Sequence, residues 1–148
     1  TLEKGAGYFH WADKDTYLYN GDAVLSGKLA PAAWRLPTEN DWNRLTEYVG
    51  NNASVLKKTA AWSSDAYPAT NESGFGVLPQ GLLLEREGKT TLVNANFSTA
   101  YWVYDGTQEQ VDKVVMFANS NNDIDFKTSV KPDGKDYYNA FSVRCLKE

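Results

Sequence analysis

The 148-residue chain contains one cysteine, one histidine and one methionine. A lone thiol, Cys145, cannot close an internal disulfide and by itself names no redox compartment. A lone imidazole, His10, excludes the His and Cys clusters that hold structural zinc, and any Ser-His-Asp or Cys-His catalytic set would have to be built on it. It stands in "GYFHWAD", an aromatic stretch in which a packed or partly exposed histidine is the natural reading. No apolar run approaches the ~20 residues of a membrane span. The chain opens at Thr1 without a signal-peptide pattern, and the missing start Met suggests a mature or trimmed chain, from which any export signal could have been removed. Basic charge is also thin. With a formal charge of −4, a pI near 5.0 and no basic stripe, a nucleic-acid partner is not expected. The densest basic spot, "LKK" at Leu56 to Lys58, reads as a solvated helix end.

Aromatic residues are plentiful, with five Trp, nine Tyr and six Phe, which excludes a disordered segment. At this length one domain spanning 1–148 hides roughly two-thirds of the surface that its unfolded form exposes, so a core needs no staples.

The N-terminal run "GYFHWADKDTYLYNGDAV" alternates aromatic with polar residues and predicts two short strands broken at Asn20-Gly21, a turn dipeptide. In "AWRLPTENDW" the extended segment puts Trp34 and Leu36 on one side and Arg35 on the other, and Pro37 ends it. Thr38 then supplies an N-cap hydroxyl and Asp41 a carboxylate version of the capping box. Trp42, Leu45 and Val49 form one apolar stripe, and Gly50 stands where a left-handed residue closes a helix. A helix over 38–49 follows, with a shorter one at Ser54 to Lys58. "SGFGVLPQG" predicts a loop anchored by Phe75, Val77 and Leu78, and "LLLEREGKTTLVN" a hairpin around Glu87-Gly88. "TAYWVY", "VDKVVMF" and "AFSVRCL" predict strands, the last with Phe141, Val143 and Cys145 on one buried face, which makes Cys145 an inert packed thiol. Early helices, late strands and long loops give an α+β domain with a largely antiparallel sheet. The expected core is Trp34, Leu36, Trp42, Leu45, Val49, Phe75, Trp102, Phe141 and Val143.

Chemistry-bearing patterns are few. Asp123 and Asp125 alternate on a strand-like run with no third group, a weak basis for acid-base catalysis. "NSNNDIDF" spaces Asn119, Asn121, Asp123 and Asp125 at every second position, but an EF-hand frame begun at Asn121 meets Phe126 where Gly is needed and Pro132 where Glu is needed. No metal and no cofactor are expected, and a hydrated polar loop or edge strand is the better reading. The second half is rich in Tyr, Asn and Asp, a mixture of rigid aromatic faces and adaptable hydrogen-bonding groups found on binding surfaces. The candidate ligand-binding residues are Tyr104, Asp105, Asn119, Asn121, Asp123, Tyr137 and Tyr138. Such a surface serves a glycan or a protein on another surface equally well.

Four blocks, "YNGDAVLSGKLAPAAWRLPTENDWNRLTEYVG", "LKKTAAWSSDAYPATNESGFGVLPQG", "AYWVYD" and "AFSVRCLKE", together resemble the Fibrobacter succinogenes major paralogous domain family. The resemblance implies a C-type-lectin-like fold, with one or two early helices packed on a mostly antiparallel sheet with long loops. It also implies an exported, non-enzymatic binding module on a bacterial surface protein or lipoprotein, located outside the cell or on the outer membrane. Two departures from the family pattern stand out. Ala30 replaces a cysteine common before the Pro-x-x-Trp element, and "YWVYDG" replaces Tyr-Trp-Trp-Ser-Ser, which places the divergence in the loops expected to bind. Lectin-like relatives include variable receptors diversified by retroelements, and the Asn-rich 94–139 segment is compatible with that alternative. The "WRLPTENDW" element is also similar to formylglycine-generating enzymes. Their chemistry needs neighbouring active-site cysteines, so a single Cys disfavours catalysis.

Overall fold

The computed structural model describes residues 5–63, 66–128 and 136–148, with the side chains of Lys14, Asp136, Tyr137 and Tyr138 outside that description. The chain opens with a hairpin, β1 (Tyr8–Trp11) and β2 (Thr16–Asn20), antiparallel with Tyr8 opposite Tyr19 and His10 opposite Tyr17. The turn between them is not at Asn20-Gly21 as the sequence predicts. It falls at Ala12–Lys14 and closes on Asp15 at φ 45°. Asn20 instead caps a short helix, α1 (Gly21–Leu25): its Oδ1 accepts from the amides of Ala23 and Gly7, both at 2.9 Å. The same side chain that favours turns also satisfies helix N-termini, and here the cap wins.

Next come β3 (Trp34–Arg35) and α2 (Glu39–Tyr48), the latter bounded by Thr38 and Val49 as the sequence indicates. Both halves of the capping box form, with the Asp41 amide donating to Thr38 Oγ1 at 3.2 Å and the Thr38 amide donating to Asp41 Oδ2 at 2.8 Å. Gly50 closes the helix at φ 62°. The second expected helix is a single 3-10 turn, Ala53–Val55. Two residues later Lys57 is fully buried, so the solvated reading of "LKK" holds for Lys58 alone.

The hairpin of β4 (Leu82–Arg86) and β5 (Lys89–Val93) turns at Glu87 and Gly88, both at positive φ, the geometry that matches strand twist in a two-residue loop. β6 (Ser98–Trp102), β7 (Lys113–Ala118) and β8 (Asp125–Thr128) form an antiparallel meander. β9 (Asp136–Phe141) returns between β2 and β4, giving a five-stranded order β1-β2-β9-β4-β5, and β10 (Leu146–Lys147) pairs with β3. The architecture is α+β with mostly antiparallel sheets and few helices.

The run "AFSVRCL" is therefore not one strand. At Ser142 the chain leaves the five-stranded sheet for β6: the Trp102 amide donates to Ser142 O at 3.1 Å, and the Ser142 amide donates to Ala100 O at 3.0 Å. This suture carries Cys145 off the strand, where it is half-buried.

β6 is buried along its whole length because it lies between two cores. Tyr101 and Val103 pack with Trp42, Leu56, Val77, Val115 and Phe117, while Ala100 and Trp102 pack with Val24, Leu82, Val114 and Phe141. The period-two alternation of a strand thus serves both cores. Leu45, Val49 and Phe75 back the first core, and Leu36 and Val143 the second, as expected. Two anchors fail. Trp34 is 42 % exposed, since the two-residue pairing of β3 with β10 lies at the surface, and Leu78 is 37 % exposed at the rim of a groove.

Candidate functional site

A cavity of about 350 Å³ lies between the β1–β2 hairpin, residues 60–63, residues 78–80 and Asn96. Trp11 and Trp62 are its aromatic walls, and Thr16, Ser63, Gln80 and Asn96 supply hydroxyls and amides. Four interactions fix Trp62 and its neighbour. The indole Nε1–H donates to Val77 O at 3.0 Å, and the Lys57 ammonium lies 4.9 Å from the ring centre. Ser63 is tied by its amide to Asn96 O at 3.2 Å and by its carbonyl to Asn119 Nδ2 at 3.0 Å. Ala60, on the same wall, holds φ 61°, a left-handed conformation uncommon for a residue with a Cβ.

Gln80 forms the floor's polar link, its Nε2 donating to Thr16 Oγ1 at 3.3 Å and its Oε1 accepting from Ser142 Oγ at 2.8 Å. The side chains of Ser63 and Asn96 are exposed and make no hydrogen bond among the described residues, so they are the groups open to a ligand.

The predicted binding residues do not form one surface. Tyr104 is half-buried against the second core, with its amide donating to Pro37 O at 3.0 Å. Asp105 is exposed in the β6–β7 connection, where Oδ1 accepts from the Thr107 amide at 2.9 Å and hydroxyl at 2.6 Å. Those two bonds hold its carboxyl below the usual range. Asn119, Asn121 and Asp123 lie in the β7–β8 connection, at the opposite end of the six-residue β7, about 20 Å away at strand rise. There Asn121 Oδ1 accepts from the Asp123 amide at 3.0 Å, and Asp123 is exposed. Tyr137 and Tyr138 pair by backbone with Glu85 and Leu84, and their side chains lie outside the described residues.

Among the predicted residues whose side chains are described, Asn119 reaches the groove, and it does so by bracing Ser63. Trp11, Trp62, Gln80 and Asn96 were not indicated by the sequence reading. The available signal was Trp62 itself, a large aromatic in a segment without helical or strand periodicity, flanked by Ala60 and Ala61.

No group of three or more His, Cys, Asp or Glu side chains placed to hold a metal ion occurs among the described residues. No helix there is long and apolar enough to cross a membrane. Cys145 lines a smaller cleft with Asp41 and Arg144, and burial pushes its thiol up, away from the thiolate that nucleophilic or redox chemistry requires.

No curated protein and no solved structure shows a match to this chain. The family model of the Fibrobacter succinogenes major domain matches residues 2–147, and the chain belongs to that family.

Proposed function

We propose that this chain is a non-enzymatic binding module of C-type-lectin-like architecture, displayed on the outside of a bacterial cell, and that its groove takes a glycan between Trp11 and Trp62. The supporting observation is the groove's composition: two indole walls for the C–H faces of a sugar ring, with the unbonded Ser63 and Asn96 side chains for its hydroxyls. Pre-organisation adds to this, because Trp62 is already fixed by Val77 and Lys57 and loses little freedom on binding. An early helix packed on antiparallel strands with long connections supports the lectin-like reading. A receptor with freely variable Asn positions finds less support, since Asn119 and Asn121 hold the backbone of their own loop and of Ser63.

The test is a glycan array probed with the purified chain, followed by calorimetry on any positive glycan. Asn96→Ala and Trp62→Phe are expected to weaken binding roughly tenfold while leaving the fold intact. A chain that binds surface proteins and no glycan, or a glycan whose affinity ignores both substitutions, overturns the proposal.

A further inference from the structure

A second cavity, about 130 Å³, opens beside Pro37, the first turns of α2 and residues 144–146. Leu45, Phe75 and Leu146 give it apolar walls, and its volume is close to the roughly 150 Å³ of an apolar cavity that accepts benzene. Trp42 and Arg144 complete this lining with Pro37, Asp41 and Cys145. Trp42 is 2 % exposed, yet its indole Nε1–H has no acceptor among the described residues, an uncommon condition for a buried N–H. The Arg144 guanidinium stacks 3.8 Å over the Phe75 ring, and no carboxylate among the described residues lies within ion-pair distance of it.

The only acid on the lining, Asp41, is already neutralised. Its two oxygens accept from Arg35 at 2.6 and 3.0 Å, and Oδ2 also accepts from the Thr38 amide and hydroxyl. The cavity therefore presents apolar walls, one cation without a carboxylate partner among the described residues and no free acid, while the Trp42 Nε1–H lies too deep to face a guest. A neutral apolar guest would leave the guanidinium without an anionic acceptor, and a phosphate would find no use for the apolar walls.

We propose that this cavity binds an aryl carboxylate, with the ring between Leu45, Phe75 and Leu146 and the carboxylate on Arg144. Arginine and a planar carboxylate are matched in geometry as well as in charge. The site is distinct from the groove and stands whether or not the groove takes a glycan.

Two reporters already sit on the lining. The Trp42 indole resonance is one of five Trp side-chain N–H signals, and Cys145 is the only thiol. Phenylacetate is expected to move the Trp42 indole signal and to slow thiol labelling of Cys145, with phenylacetamide binding roughly tenfold more weakly because it lacks the charge. Arg144→Gln is expected to weaken phenylacetate to the level of the amide. The comparison of acid with amide on the unsubstituted chain stands even if that variant folds poorly. The peptide acetyl-Gly-Gly-Phe with a free C-terminus separates the sources: binding tighter than phenylacetate identifies a chain terminus, and failure to bind beside a positive phenylacetate identifies a free acid. No movement of the Trp42 signal and no protection of Cys145, or equal effects from acid and amide, overturn the proposal.

Discussion

The Lys57 ammonium lies 4.9 Å from the centre of the Trp62 ring and donates to the backbone carbonyls of Ala118 at 2.6 Å and Asn121 at 2.8 Å. One buried cation thus joins a groove wall to the end of β7 and to the connection that follows it. Asn119, from that same connection, bonds Ser63 on the groove, so the β7–β8 loop bears on the groove from behind.

Replacing Lys57 with Met leaves two inward carbonyls without a donor and is expected to lower stability by about 1–3 kcal/mol at neutral pH. Burial pushes the ammonium down from 10.5 to about 8, with the Asp123 charge opposing that shift. Between those two values the unfolded chain binds more protons than the folded one, so this group makes stability rise with pH across the window. The difference between the natural chain and Lys57→Met should therefore grow from pH 7.5 to pH 10, read from urea midpoints. A gap that stays constant or narrows contradicts the buried, charge-penalised placement of Lys57.

The Arg35–Asp41 pair also makes stability rise with pH, in an acid window and through a favoured rather than a penalised charge. Hydrogen bonds from Arg35 hold the Asp41 carboxyl well below its ordinary value of 3.8, with the Thr38 amide and hydroxyl adding to the effect and burial opposing it. The resulting stabilisation is complete above the unfolded value and is lost as pH falls below it toward the folded one. Asp41→Asn is expected to cost about 1–2 kcal/mol at pH 7, a figure held down by the partly exposed Arg35 side chain. That cost should shrink steadily below about pH 4. Denaturation midpoints of the two chains that stay equally far apart at pH 2.5 and pH 7 would refute the assignment.

Local signals were legible in the sequence and long-range ones were not. Thr38, Asp41 and Gly50 declare α2 within a few residues of each other, and Glu87-Gly88 declares its hairpin, because both depend on neighbouring backbone groups. The groove is assembled from Trp11, Trp62, Gln80 and Asn96, brought together only by the closing of the sheet and the loops, and no spacing along the chain announces that. Composition leaves the role of the Asn-rich loop undivided for a related reason. Asn side chains bond a ligand or their own backbone with the same atoms, and at Asn119 and Asn121 the backbone has them. Lys57 reads as solvated in the sequence because its acceptors lie 61 and 64 residues downstream.

The separation of the two loops along β7 makes a functional prediction. Asn119→Ala removes the brace on Ser63 and is expected to weaken any ligand of the groove by roughly threefold to tenfold without touching it. Asp105→Ala, at the other end of β7, is expected to leave that affinity unchanged. Titration of one groove ligand against both variants decides the matter: a larger loss from Asp105→Ala would move the binding surface to the β6–β7 connection.

Gly81 is where the groove's floor meets the sheet, directly after Gln80 and with its amide donating to Ser98 O at 2.8 Å. It holds φ 83°, and a Cβ there would stand 2.8 Å from Val93 O and 3.2 Å from Ala95 N, both backbone atoms of β5 and its exit. Gly81→Ala thus combines left-handed strain, about 1 kcal/mol or more, with a clash that only a shift of β5 relieves. Gly106 separates the two contributions, since it holds φ 86° with nothing within 4 Å of a Cβ. Gly106→Ala is expected to cost about 1 kcal/mol and Gly81→Ala more than about 3 kcal/mol, measured by urea denaturation. Equal costs at the two positions would mean that β4 and β5 do not meet the 81 backbone as closely as described.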